Sequence, residues 1–230
     1  MWDFDDGTGL VATDISGYDN EGTLNGPVWK CASDDHDYTP LGRGCSLQFD
    51  GINDYVRTAN SNNLPSGTQD FTISVWVKPL VLAGDFRLIL ANQNLDHFQL
   101  NLGDEGTSAK IAMSLGGDYP GCVKTASLSW ALGKWYHIAV TRRNGTVKIY
   151  RDAKEEASGT QNLPITKSVI DIGYRTSDGE HPWNGFIDDV RIYEEALTQV
   201  KIEQLYVQGS DKYYLAIDPS SLVKGEGVDK

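Results

Sequence analysis

No stretch of the 230 residues approaches the ~18 to 20 consecutive apolar residues that cross a bilayer as a helix. The opening Met1-Trp2-Asp3-Phe4-Asp5-Asp6 has neither the basic nor the apolar region of a secretory leader. Positive charge is scarce: 20 Lys and Arg against 32 Asp and Glu leave a net charge of −12, and no Lys/Arg run interrupts the acid. That balance excludes nucleic acid and an anionic membrane surface as partners, because both recruit clustered cations. Cysteine is limited to Cys31, Cys45 and Cys122 with no Cys-x-x-Cys, so neither a structural zinc site nor a thioredoxin-type pair is expected. Cys31 and Cys45 flank a polar loop that a bridge would close in an oxidising compartment; the other pairings and fully reduced thiols stay open. Internal repeats are absent as well.

What the chain has is acid at one end and short β-type runs throughout. Residues 1–70 hold 12 Asp and Glu against Lys30, Arg43 and Arg57, in segments rich in Gly, Asn and Ser. Flexible oxygen-bearing loops of this kind suit a hard cation, although dispersed acid is more often simple solvation. Alternating or β-branched runs fall at 45–49, 55–58, 71–78, 86–90, 98–102, 110–115, 135–141, 146–151, 169–172 and 186–193. Ten strands in one domain imply an all-β antiparallel sandwich or jelly roll. Asn144-Gly145 lies between two of these runs and predicts a type I′ hairpin, whose two central residues both need positive φ.

Alternation also assigns faces. In 71–77 the odd positions are large and apolar, which puts Trp76 on the face opposite them. In 98–102, Phe98, Leu100 and Leu102 point to the core and leave His97, Gln99 and Asn101 as a polar row on the other face. On a curved sheet such a row would line a groove with donors and acceptors suited to sugar hydroxyls. In 186–192 the same count groups Asp188 with Phe186, Val190 and Ile192, so a carboxylate points toward apolar neighbours and needs a partner. One helix is predicted over 197–207, with Thr198 as N-cap and an incomplete stripe of Val200, Ile202, Leu205 and Tyr206. The domain is therefore read as residues 1–207, with 208–230 as a tail or a linker to a following domain. The abrupt start and the Lys-Gly-Glu-Gly-Val-Asp-Lys ending read as part of a longer polypeptide.

Four segments in order resemble the LamG-like jellyroll family of the concanavalin A-like lectin/glucanase fold (Laminin G type 3). They are Trp2-Asp3-Phe4-Asp5-Asp6-Gly7-Thr8-Gly9 continuing to Leu24; Leu47-Gln48-Phe49-Asp50-Gly51 through Val56; Phe71 to Pro79 leading to Lys134-Trp135-Tyr136-His137; and Asn184-Gly185-Phe186-Ile187-Asp188-Asp189-Val190 through Tyr193. The match runs from residue 2 to about 206. Two departures stand out. Lys201 replaces the family's usual Glu in the first helical turn, removing half of a capping box, and Ala153 replaces the usual Gly after Asp152, which questions a glycine-type turn there.

The resemblance implies a two-sheet jelly roll and a Ca²⁺ ion between the acidic loop and the last strand. Its ligands would be Asp14, Asn20 and Asp188, with Asp5 weaker and the Gly17 and Gly22 carbonyls as supplements. It also implies that Trp76, Trp135 and Trp183 fill the sandwich. Glucanases of the fold carry a Glu-x-Asp-x-x-Glu pattern that is missing here, as are Gly-x-Ser-x-Gly and His-Glu-x-x-His, so no catalysis is expected. The expectation is a non-catalytic, Ca²⁺-stabilised adhesion module of a secreted, cell-surface or virion-surface protein. Its partner would be a carbohydrate, with contacts from His97, Gln99, Asn101, Tyr119, Trp130 and Arg175. The alternatives are assembly with another surface protein and, last, a divergent polysaccharide hydrolase or lyase.

Overall fold

The structure is a computed structural model that describes residues 1–82, 87–93, 98–104, 107–116, 121–177 and 181–210. In chain order the strands are β1 (Val11–Ala12), β2 (Gly22–Asn25), β3 (Val28–Cys31), β4 (Cys45–Asp50), β5 (Tyr55–Thr58), β6 (Phe71–Pro79), β7 (Arg87–Asn92) and β8 (Gln99–Asp104). They continue as β9 (Thr107–Ser114), β10 (Val123–Lys124), β11 (Tyr136–Arg143), β12 (Thr146–Arg151), β13 (Lys154–Thr160), β14 (Ile170–Ile172) and β15 (Asn184–Tyr193), and the helix α1 (Gln199–Ser210) follows. One sheet runs β1-β2-β5-β14-β7-β8-β9-β10, the other β13-β12-β11-β6-β15-β4-β3. The two-sheet antiparallel architecture is the one expected.

The core between the sheets is built by period-2 alternation. Ile73, Val75 and Val77 of β6 meet Leu90, Leu100 and Ile111 from the facing sheet, all fully buried. Thr72, Ser74, Trp76 and Lys78 point the other way yet are also buried. A second layer explains this. Helix α1 seats Ile202 and Leu205 against Ala139 and Tyr150 on the outer face of the seven-stranded sheet, and Tyr206 stacks on Trp76 with ring centroids 5.8 Å apart. Of the three tryptophans expected in the sandwich, Trp183 is there, 1% exposed. Trp76 and Trp135 instead sit on the outer face, Trp76 beneath α1 and Trp135 beside Phe186.

The helix begins two residues later than predicted and runs to Ser210, three residues past the expected domain boundary at 207. Thr198 caps it through its hydroxyl and the Lys201 amide, 3.4 Å apart. Val200, placed in the apolar stripe by sequence, is 60% exposed.

β15 corrects the sequence reading most. Asp188 pairs with Trp76 and Arg191 with Ser74, so one extra residue is accommodated between them, and Asp189 takes a left-handed φ of 47°. This bulge reverses the phase of the strand. Phe186 and Asp188 face outward, whereas Ile187 and Val190 face the core. Strict alternation had put Asp188, Val190 and Ile192 on one face because it cannot register an inserted residue. The backbone of Val190 exchanges two hydrogen bonds with Trp2, of 2.9 and 2.8 Å, which fixes the N-terminal segment against the last strand.

The hairpin at Asn144-Gly145 is present, with φ of 49° and 78°. Cys31 and Cys45, register partners in β3 and β4, form a disulfide, and Cys122 is buried outside it. Closing a separation of 14 residues restricts the unfolded chain. The double variant Cys31→Ser/Cys45→Ser is expected to unfold in urea about 3 kcal/mol more easily, and an unaltered midpoint would show that the bridge adds nothing. The turn at Asp152-Ala153 keeps the glycine-type geometry without glycine, with φ of 51° and 65°. A Cβ in that region costs about 1–2 kcal/mol, so Ala153→Gly is expected to stabilise the fold by about 1 kcal/mol. A neutral or destabilising result would contradict strain at this turn.

Candidate functional site

The predicted calcium ligands separate into two groups. Asp14 is held within its own loop: one carboxylate oxygen accepts the Met1 amine at 2.9 Å and the Ser16 amide, the other the Asn20 amide at 3.0 Å. Burial acts to raise its pKa, but the bonds from the Ser16 hydroxyl, the terminal amine and the two amides outweigh it and lower it to about 2. Asn20 is spent on structure too. Its amide exchanges bonds with the Asn62 backbone and its carbonyl accepts the Trp2 indole N–H at 2.8 Å. Gly22 is a β2 residue paired with Ala12 and Thr58, and Gly17 occupies a bend with φ 83°.

Asp5 and Asp188 are brought together elsewhere, at one end of a 1280 Å³ cavity on the outer face of the seven-stranded sheet, with Asp3 and Asp189 beside them. Asp188 is 6% exposed, and the amide of Asp189 reaches its Oδ1 at 2.7 Å. Burial first, then the charges of Asp189, Asp5 and Asp3, push its pKa well above the carboxylate range. Asp189 is paired with Arg191 at 2.7 Å. Asp5 accepts the Cys45 amide at 2.8 Å, a contact that Gly44 permits: a Cβ there would lie 2.0 Å from the Asp5 oxygen. Oxygen-only donors suit a hard cation chemically. As the side chains stand, however, no three His, Cys, Asp or Glu among the described residues are placed to hold one ion.

The other candidate face lies on the eight-stranded sheet. Register aligns Arg57, Asp171, Ala91, Gln99 and Ser114 in one rung across five strands. Arg57 grips Asp171 with two bonds of 2.9 and 3.0 Å, and Thr176 and Gln93 join the pair. Arg175 donates to Gln99. On the next rung Asn101 stands between Leu88 and Ala112. Gln99 and Asn101 share a face as predicted, but the face is enclosed rather than open, at 1% and 0% exposure. Both side-chain atoms of Asn101 are buried without a hydrogen-bond partner.

The remaining candidates fare differently. His97 and Tyr119 lie outside the described residues. Trp130 is packed edge-on against Tyr136, centroids 4.6 Å apart, with the Arg151 guanidinium 5.1 Å over its ring, so it is not an open stacking platform. Sequence reasoning missed Asp3, Asp189 and Trp76 as cavity residues. Only the Asp188-Asp189 doublet hinted at a bulge there.

Residues 50–203 match the family described as concanavalin A-like lectin/glucanases superfamily. A segment of 154 residues, 63% of this chain, is 24% identical to adhesion G-protein coupled receptor V1 of Danio rerio, of which it spans 2%. Among solved structures, domain 4 of AbnA, a GH43 extracellular arabinanase from Geobacillus stearothermophilus in complex with arabinotriose, superposes with a TM-score of 0.68. It is 22% identical, over 89% of this chain and 96% of that one. The binding domain of Paraclostridial Mosquitocidal Protein 1 gives 0.64 at 17% identity, over 86% and 49%. At these identities the two structures speak for the fold. No helix among the described residues is long and apolar enough to cross a membrane. With two thirds of its length matched and both sheets in place, the chain belongs to the concanavalin A-like lectin/glucanases superfamily.

Proposed function

We propose that this chain is a non-catalytic binding module for carbohydrate, within a secreted or surface-exposed protein. The observation that carries the reading is Asn101, an amide with two donors and an acceptor oxygen, all buried and unpartnered on the outer face of the eight-stranded sheet. A buried amide in that state costs about 1–3 kcal/mol, a cost that hydroxyl groups of a sugar would offset. Gln99 lies on the same face and accepts from Arg175, and Ala91 and Ala112 keep the adjoining positions small. Because the row is enclosed, a sugar reaches it only as the groups packed over it move. The arabinotriose held by the AbnA domain supports a sugar ligand by analogy of fold. The Cys31–Cys45 bridge suits an oxidising, extracellular setting.

Calcium belongs to this proposal as a stabiliser and not as a reactant. Asp188, Asp5 and Asp3 do not form a site as they stand; the ion would draw them together and offset the crowding of carboxylates that raises the Asp188 pKa.

Two experiments test these statements. Titrating a panel of oligosaccharides, arabinotriose included, is expected to give binding in the millimolar range or tighter. Asn101→Val is expected to lose at least about tenfold of that affinity while raising unfolding stability by about 1 kcal/mol. Equal binding by Asn101→Val would remove this face from the account. A stable oligomer that buries the face would favour protein assembly, and released reducing ends would favour a hydrolase.

The second experiment follows Asp188. Since its folded pKa lies above the unfolded one, it contributes stability fully only below about pH 4, and that contribution is lost as pH rises through the folded value. In chelator, Asp188→Asn is expected to melt higher than the parent at pH 7, the gain fading toward pH 4. Millimolar Ca²⁺ is expected to raise the melting temperature of the parent and not of the variant. An unresponsive parent would dismiss the ion.

A further inference from the structure

Helix α1 covers more of the seven-stranded sheet than it packs into. Of residues 199–209 only Ile202 and Gly209 are buried, and Lys201, Glu203, Gln204 and Gln208 are exposed. Besides Ile202, the half-buried Leu205 and Tyr206 reach the sheet, where the helix meets Ala139, Tyr150, Trp76 and His137. Two bonds hold its entrance: the Leu197 amide donates to Thr72 Oγ1 at 2.8 Å, and Gln199 Nε2 donates to the Ala153 carbonyl at 2.7 Å.

Docking of this helix encloses two polar atoms and gives neither a partner. The Trp76 indole N–H is closed off by Gly209, where a Cβ would lie 2.1 Å from the nitrogen. His137 is fully buried, its ring 5.3 Å from that of Trp76 and 6.1 Å from that of Tyr206. Its Nε2 bonds Ser74 Oγ at 2.9 Å, while its Nδ1 has no partner. A neutral imidazole leaves one atom unsatisfied there, whereas an imidazolium would bury a charged N–H without an acceptor, at far greater cost. The surroundings do not relieve that charge. From β6, Ser74 and Trp76 bring none; β15 places Asp188 on the far side of Trp76 and Arg191 opposite Ser74. The Asp152 carboxylate is spent on the His137 main-chain N–H at 3.0 Å. Tyr150 of β12 and Tyr206 of α1 are phenols, and Lys201 and Glu203 of α1 are exposed. Burial first, then the charge of Arg191, lower the His137 pKa to about 3.

We infer that α1 is an acid-released cover: protonation of His137 undocks the helix from the outer face of the seven-stranded sheet while the sandwich stays folded. Once the helix leaves, water satisfies Nδ1 and the imidazole titrates near its ordinary value of about 6.5. The docked form thus binds the proton more weakly than the undocked form. Docking is at full strength above about pH 7 and weakens as pH falls toward the docked value. Asp152 and Asp188, whose carboxyl pKa values burial raises, act in the opposite direction and gain stability toward acid. The contribution of His137 is therefore read against a variant that keeps both. Because α1 supplies the wall of the 1280 Å³ cavity that carries Val200, Glu203 and Val207, its release opens that cavity and uncovers Trp76 and Tyr150. The device is independent of the sugar face, which lies on the other sheet.

The test is hydrogen-exchange mass spectrometry of the whole protein in chelator, corrected for the intrinsic pH dependence of exchange, which reads the opening of α1 apart from that of β6 and β11. The opening constant of α1 is expected to be at least about tenfold larger at pH 4.5 than at pH 7, and larger than those of β6 and β11 at both. His137→Phe keeps an aromatic ring without the titration, and its α1 opening should agree at the two pH values within about twofold. Ile202→Ala, which loosens the helix at a residue packed on Ala139 and Tyr150, should raise α1 opening at both pH values and keep the ratio between them. That second variant retains the test if His137→Phe does not fold. Parent α1 opening that is equal at the two pH values, that keeps its pH ratio in His137→Phe, or that occurs only together with β6 and β11 would overturn the proposal.

Discussion

The bulge at Asp189 is the constraint on which both the sandwich and its outer cavity depend. By inserting one residue opposite β6, it lets β15 point Ile187 and Val190 into the core while Asp188 faces out. Val190 then has its backbone free to pair with Trp2, and Trp2, 1% exposed, carries its indole to the Asn20 carbonyl. The N-terminal segment is thereby fixed to the last strand by main-chain bonds and one buried ring. The same extra residue gathers Asp188 and Asp189 next to Asp3 and Asp5. Core closure and the acidic end of the cavity thus have one geometric cause.

A two-layer sandwich would ordinarily leave two solvated outer faces, and here neither is plain. The seven-stranded sheet is covered by α1 and by the segment that the Cys31–Cys45 bridge closes, so its outward residues are buried. Between these two covers remains a cavity lined by Asp3, Asp5, Asp188 and Asp189 and by Val200 and Val207 of α1. On the eight-stranded sheet the outward side is polar and internally bonded around Asp171, until the bonding stops at Asn101. In proteins, buried polar groups without partners are few, and each calls for a physical reason. Among the described residues Thr39, Trp76, His137 and Trp183 each keep one such atom, whereas Asn101 leaves its whole side-chain amide unpartnered.

The fold was legible because its signals are local and strong. Alternation in 71–78 and 135–141 marks the central strands, and the Asn144-Gly145 pair sets its own turn by φ preference. The edges were not. β13, Lys154–Thr160, is polar, and β1 and β10 are two residues each, so pairing alone makes them strands. The site was half legible. Gln99 and Asn101 share a face, as alternation indicated, while the bond from Arg175 to Gln99 and the enclosure of the row depend on what packs over a sheet, which alternation does not encode. Asp14 and Asn20 are polar residues in a flexible-looking loop that spends its bonding on itself. Asp188 was placed on the wrong face for want of one residue in the count. The left-handed turn at Asp152-Ala153 survives an alanine because the two-residue hairpin and the His137 bonds to Asp152 fix it.

The central claim is that the outer face of the eight-stranded sheet holds its ligand through the unpartnered amide. Side-chain amide resonances observe that group directly. In a ¹H–¹⁵N NMR titration with the tightest-binding oligosaccharide, the Asn101 side-chain NH₂ pair is expected to shift and gain exchange protection together with Gln99 and the Arg175 Nε–H. Saturation of binding with the Asn101 amide unmoved, and shifts confined to another surface, would contradict it.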